Sequence, residues 1–221
     1  MIDFKKNNLE NVQSPYLKQH KNNPVHWQIW SKATIEEAKK NSKPILLSIG
    51  YATCHWCHVM AHESFEDKET ADLMNKYFIN IKTDREERPD LDFVFQSSFQ
   101  LFNQTGGGWP LTMFLDENGV PFMGGTYFPK NSQNGLPAFK EVLRKVHEIY
   151  RDQKTNIIND FHEKLNIIKN LLLKFFRVKK FFQDNKYTAE PFFNEVLNFN
   201  FYLISNVSAK TIPNRIYIKY I

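Results

Sequence analysis

Cysteine is nearly absent from this chain, with two residues in 221. Two thiols three positions apart do not make the disulfide framework of a small secreted domain. The opening stretch, Met1-Ile2-Asp3-Phe4-Lys5-Lys6, has no apolar h-region, so no signal peptide is legible. Long apolar runs are missing too. The longest candidates, around Leu171–Leu173 and Phe175–Phe176, are broken by Lys174, Arg177, Lys179 and Lys180, and none is long enough to span a bilayer. These absences make the cytoplasm the expected location and argue against a membrane partner. No internal repeat is evident, which leaves a globular domain with room for additional structure.

Charge of one sign is scarce only locally. Residues 1–129 hold 13 Lys+Arg against 16 Asp+Glu, a net of −3, while residues 130–221 hold 16 against 8, a net of +8. The overall +5 is thus a property of the C-terminal part. No recognition motif accompanies the basic residues, so a solvated helical face is expected there and no nucleic-acid partner.

What is present is concentrated at Cys54-His55-Trp56-Cys57. The run Pro44 to Gly50 reads as a buried strand, Tyr51-Ala52-Thr53 as a loop, and His55 to Glu63 as a helix. Strand, loop, then Cys-x-x-Cys at a helix start is the context that points to thiol–disulfide chemistry. A helix N-terminus favours a thiolate, so Cys54 is expected to be the exposed nucleophile and Cys57 the shielded resolving thiol. Trp56 adds an apolar docking surface. His55, His58 and Asp84 are the candidates for proton transfer. Two other readings fit the same residues. Cys54 to His58 matches the haem-attachment pattern C-x-x-C-H, and the two cysteines with His58 and His62 could make a zinc set. The first lacks a visible export signal. The second asks one short helix to close a tetrahedron. No metal and no cofactor is expected.

The rest of the chain is consistent with an α/β domain. A helix is expected over Thr34 to Asn41, with Thr34 and Glu37 as a capping box. Asp67 can cap a second helix through Lys76. Phe78 to Asp84 reads as a strand, Leu91 to Phe102 as a helix, and Leu111 to Leu115 as a strand. Asp116-Glu117-Asn118-Gly119 is a hairpin turn, with the return strand over Val120 to Met123. Helical spacing resumes at Leu136 and runs irregularly to about Phe176. The order βα, βα, ββα is that of a thioredoxin-like fold: a central mixed sheet flanked by helices, preceded by an N-terminal extension and followed by a helical C-terminal tail. In such a fold the proline before the third strand, here Pro110, is cis, and Trp109 before it offers its backbone to an extended substrate. The domains read as 1–30 (an extension packed on the domain), 31–150 (the domain) and 151–221 (a helical, then irregular, basic tail). Asp84-Arg85-Glu86-Glu87-Arg88 reads as a surface ion-pair network.

Seven blocks carry a family resemblance: Ser14 to Leu17, Asn23 to Val25, Lys43 to Met60, Glu63 to Phe65, Lys82 to Pro89, Gly107 to Pro110 and Gly124 to Pro129. Over about residues 10–150 the chain resembles the thioredoxin-like domain of the spermatogenesis-associated thioredoxin-domain proteins and their DsbH-like bacterial homologues. The resemblance implies a thioredoxin fold, a redox-active Cys54–Cys57 pair and a cis proline at Pro110. Longer members continue into a helical barrel, so the chain is expected to be either a stand-alone domain or a truncated product, and the irregular composition from about residue 177 favours residues 151–221 as the remnant of a truncated second domain. Ser48 stands where thioredoxins carry a buried aspartate that assists proton transfer. The expected function is a thiol–disulfide oxidoreductase acting on a protein or small-molecule thiol or disulfide, served by an external reductant. The alternatives are a docking module without turnover and an accessory domain of a larger carbohydrate-active-like protein.

Overall fold

A computed structural model of the chain describes residues 2–103 and 105–152. The expected tail beyond residue 152 lies outside the described residues. Five strands form one sheet in the order β1 (Trp27–Gln28), β3 (Ile79–Asp84), β2 (Ile45–Gly50), β4 (Leu111–Leu115), β5 (Pro121–Gly125). β2 is parallel to β3 and antiparallel to β4, and β4 is antiparallel to β5. This is the thioredoxin-like arrangement, with the hairpin at one edge and β1 parallel to β3 at the other.

Both central strands are buried along their whole length. Side chains alternate between faces along a strand. One face of β2 presents Leu46, Ser48 and Gly50, and the paired face of β3 presents Asn80, Lys82 and Asp84. Against this face packs a cluster that includes Tyr16 and Leu17 of α1 (Pro15–Gln19), Trp27, both cysteines, Met60, Phe65, Met74 and Phe78. It continues into Phe139, Leu143 and Val146 of a helix, α6, over residues 139–152. The rings meet edge-on, Trp27 with Phe65 at 5.0 Å and Tyr16 with His20 at 5.0 Å. Each such contact contributes about 0.5–1.5 kcal/mol beyond the area it buries. α5 (Pro89–Asn103) packs instead on β4 and β5.

The first thirty residues are woven into this core. Leu9, Tyr16, Val25 and Trp27 are buried, and the Asn8 amide donates to the Trp27 carbonyl at 2.8 Å. Ser14 caps α1, accepting from the Leu17 amide at 3.0 Å, and its hydroxyl donates to Asp84 at 2.6 Å.

Three local expectations differ from the structure. α2 is Lys32–Asn41, and its cap is Ser31, whose hydroxyl accepts from the Thr34 amide at 3.2 Å. Thr34 lies inside the helix, and its hydroxyl donates to the Ile29 carbonyl rather than forming a capping box with Glu37. The cysteine helix is α3 (His55–Met60), and the backbone then widens into a π-helical turn, Ala61–Phe65. The return strand of the hairpin is Pro121–Gly125, because Asp116 Oδ1 holds the turn by accepting from the Asn118 and Val120 amides at 2.8 Å each. α4 is Lys68–Tyr77, capped by Asp67.

Candidate functional site

β2 delivers the chain to the loop before α3. Cys54 caps that helix: its Sγ accepts from the Cys57 amide at 3.2 Å, and its carbonyl accepts from the His58 amide at 3.2 Å. The two cysteines are joined as a disulfide, with their Cα atoms 5.2 Å apart. Both are buried; Cys54 is 3% exposed and Cys57 1%. The expected contrast between an exposed and a shielded sulfur is therefore slight in this oxidised state, because Tyr51, Ala52 and Trp109 pack on the same cluster.

The sequence-nominated side chains separate into two groups. On the open side, Trp56 is 52% exposed. Its ring lies 5.0 Å from that of Tyr127 and 5.5 Å from His55, which is exposed. Tyr127 donates to Glu63 Oε2 at 2.6 Å, and burial together with this bond pushes its pKa up to about 12. The Trp109–Pro110 peptide bond is cis, and Pro110 is buried at the start of β4. Trp109 donates from Nε1 to Asp92 at 2.8 Å. Trp56, Trp109 and Tyr127 share a shallow groove of about 470 Å³ with Phe99 and Gly106 to Gly108. His58 bonds the Ala52 carbonyl through Nε2 at 2.8 Å, which ties the cysteine loop to its helix. Asp84, by contrast, is buried, and both its oxygens accept hydrogen bonds, from the Ser14 hydroxyl and the Glu86 amide.

Arg85 is the residue that sequence reasoning assigned to a surface network and the structure assigns elsewhere. Its amide donates to the Gly50 carbonyl at 2.9 Å, which turns the side chain back over the site. The guanidinium carbon lies 4.0 Å from the Trp109 ring centroid and 5.4 Å from that of Tyr51, and the group pairs with Asp92 at 3.5 Å. A cation held on two aromatic faces contributes about 0.5–2 kcal/mol per contact. Gln96 was likewise missed. Its amide donates to the Gly108 carbonyl at 2.9 Å and accepts from the Gly108 amide at 3.1 Å, holding the glycine loop. A Cβ on Gly107 would stand 1.9 Å from Gln96 Oε1, so a side chain there would displace that clamp. Neither role was legible, because each needs a partner brought in from another element.

In the zinc reading, the two cysteines bond each other, His58 bonds Ala52 and His62 pairs with Glu66 at 3.0 Å. Among the described residues no group of three or more His, Cys, Asp or Glu is placed to hold a metal ion. Nor is any of their helices long and apolar enough to cross a membrane.

Comparison with known proteins gives a consistent result. A family model described as "Protein of unknown function, DUF255" and named Thioredox_DsbH matches residues 6–169. Spermatogenesis-associated protein 20 of Homo sapiens is 43% identical over 154 residues, which is 70% of this chain and 20% of that protein. "Uncharacterized protein B0495.5" of Caenorhabditis elegans is 46% identical over 153 residues, 69% of this chain and 21% of that protein. The match thus spans about a fifth of these relatives' length. Among solved structures, a DsbH oxidoreductase aligns at 18% identity with a TM-score of 0.40, over 57% of this chain and 85% of the other. A thioredoxin from Thermus thermophilus aligns at 14% identity with a TM-score of 0.43, over 60% of this chain and 93% of the other.

Proposed function

The chain belongs to the DsbH-like thioredoxin family matched over residues 6–169, and from that premise we propose that it is a thiol–disulfide oxidoreductase. The observation that carries this reading is the Cys54–Cys57 disulfide at the start of α3, next to a groove edged by Trp56 and Trp109. Cys54 attacks a substrate disulfide as the thiolate, aided by the Cys57 amide that points at its sulfur. Cys57 then attacks Cys54, the internal disulfide closes and the substrate leaves as a thiol. Trp109 and cis Pro110 would present backbone to an extended substrate, with Trp56 as an apolar rest. The proposed setting is the cytoplasm, where an external dithiol reductant would return the pair to the reduced state.

The test is a redox titration of the full chain across defined dithiol buffers, read by thiol alkylation. A reversible two-electron transition is expected. A midpoint near about −270 mV would indicate a reductase, and one near about −120 mV an oxidant. Cys57→Ser is expected to accumulate mixed disulfides with protein partners, and Cys54→Ser is not. Equal trapping by both would refute the assigned roles. A docking module without turnover is the second reading, favoured by the 52% exposure of Trp56. Partner capture unchanged by the double Cys→Ser variant would support it.

A further inference from the structure

Cys57 has no carboxylate at the Ser48 strand position, and the buried carboxylate in register with Gly50, Asp84, has both oxygens engaged, by the Ser14 hydroxyl and the Glu86 amide. Something else fills the space beneath Cys57. Gly50 shows what it is: a Cβ added there would stand 2.2 Å from the Tyr16 hydroxyl and 2.7 Å from Cys57 Sγ. The two atoms therefore lie against the same bare stretch of backbone, no farther apart than the sum of those distances. Behind the Tyr16 hydroxyl is Lys82 Nζ, at 2.7 Å, and behind that is Ser48 Oγ, at 2.8 Å. Lys82 is 1% exposed, at the floor of a box formed by the Tyr16, Phe65 and Trp27 rings, whose centroids lie 4.8, 4.9 and 5.5 Å from Nζ.

We propose that Tyr16 and Lys82 form a proton relay for the resolving cysteine, in which the Tyr16 hydroxyl takes the Cys57 proton and passes its own to the Lys82 amine. This rests on the oxidoreductase reading above and adds the route of the proton. When Cys54 is in mixed disulfide with substrate, the Cys57 S–H bond breaks and its electron pair forms the bond to Cys54 Sγ. The Cys54–substrate bond breaks, and its pair leaves with the substrate sulfur. The proton ends on Lys82 as ammonium, with Ser48 Oγ accepting one of its hydrogens. Tyr16, next to the reacting sulfur, is the catalytic residue of the pair. Lys82 acts through it and is a positioning residue.

The electrostatics support an amine that can accept. Burial holds the Lys82 ammonium well below its ordinary range, with Asp84 on the same strand the opposing influence. Burial also raises the Tyr16 hydroxyl well above its usual range, so it relays a proton rather than ionising. The titratable groups around this pair are Asp84 on β3, His20 after α1, Cys54, Cys57 and His58 on α3, and Tyr16 itself; Ser14, Ser48, Trp27 and Phe65 complete the surroundings.

The experiment mixes pre-reduced full chain with dithiobis(nitrobenzoate) and follows the released aromatic thiolate in two phases. The first, attack by Cys54, scales with reagent concentration. The second, resolution by Cys57, does not. In the unsubstituted chain the second phase is expected to level off below the free-thiol range of about 8.5. Tyr16→Phe and Lys82→Met are each expected to slow it roughly a hundredfold. Each should also convert its pH profile to a steady rise toward that range, while leaving the first phase within about twofold. A second phase that keeps its rate and profile in either folded variant overturns the relay alone. So does a profile in the unsubstituted chain that climbs through the free-thiol range, which keeps the test decisive if a variant does not fold. No second release in the unsubstituted chain overturns the oxidoreductase reading and the relay together.

Discussion

The Cys54–Cys57 disulfide has two unlike neighbourhoods. Its open side is made of side chains from loops and helix ends: Trp56, Tyr127, Trp109, and Arg85 stacked on Trp109. Its underside is made of two central strands and the first thirty residues: Tyr16, Trp27, Ser48, Lys82 and Asp84, all buried. The open side is partly exposed and held by contacts between side chains, such as Trp109 to Asp92 at 2.8 Å and Arg85 on the Trp109 ring. The underside is held by buried hydrogen bonds, from Ser14 to Asp84 and from Lys82 to Tyr16 and Ser48, and by the rings that pack on Lys82. The side chains proposed to meet substrate can be altered with little cost to the fold, whereas those around Cys57, the proposed resolving cysteine, are also part of what keeps the domain folded.

The strongest way to break this comparison is to damage the underside. Trp27→Ala removes a fully buried ring that packs on Phe65 and stands over Lys82. A loss of about 3–5 kcal/mol is expected in urea unfolding of the full chain. A loss under about 1 kcal/mol would mean the underside is not structural.

A pH series sharpens the same contrast. His20 packs on Tyr16 and Phe65, and burial lowers its pKa from 6.5 to about 2. The folded state therefore keeps the ring neutral while the unfolded chain protonates below pH 6.5. Its contribution to stability is fully present above that pH and is lost as pH falls, by at most about 1.4 kcal/mol per unit. The window from pH 6.5 to about 5 lies above the carboxylate range; His26 and His147, which burial also lowers, contribute there in the same direction. His20→Gln should reduce the slope of the urea midpoint with pH in that window, and a slope unchanged by the substitution would assign it to those other groups.

The smallest effects belong to the open side. Trp109→Ala is expected to raise the KM for a peptide disulfide about tenfold. Asp92→Asn, which leaves an acceptor for the indole but removes the partner of Arg85, should raise it only a few-fold. Both should change the unfolding free energy less than Trp27→Ala does. Either one unfolding the domain as readily as Trp27→Ala would erase the distinction between the two sides.

Legibility follows the same division. The cysteine pair, β2, β4 and the Asp67 cap could be read because each depends on neighbouring residues: an unbroken apolar run, a spacing of three, a carboxylate before a helix. Ser31 was passed over as a cap because Thr34 offered the same chemistry one turn later. The π-helical turn at Ala61–Phe65 was hidden because apolar spacing does not distinguish it from the helix it extends. Arg85 and Lys82 look like ordinary charges until the fold brings Trp109 and Tyr16 to them, 24 and 66 positions away along the chain.

β1 is only two residues long, Trp27–Gln28, yet it occupies the outer edge of the sheet by pairing with Asn80 and Ile81 of β3. A fragment cut to begin at residue 31 would keep both cysteines but leave that edge of β3 without a partner, next to a face stripped of Tyr16 and Trp27. An open, unprotected edge of this kind invites a strand from another copy. The expected fate of such a trimmed fragment is self-association rather than simple loss of activity, so an expression boundary drawn at the cysteine domain would produce aggregates.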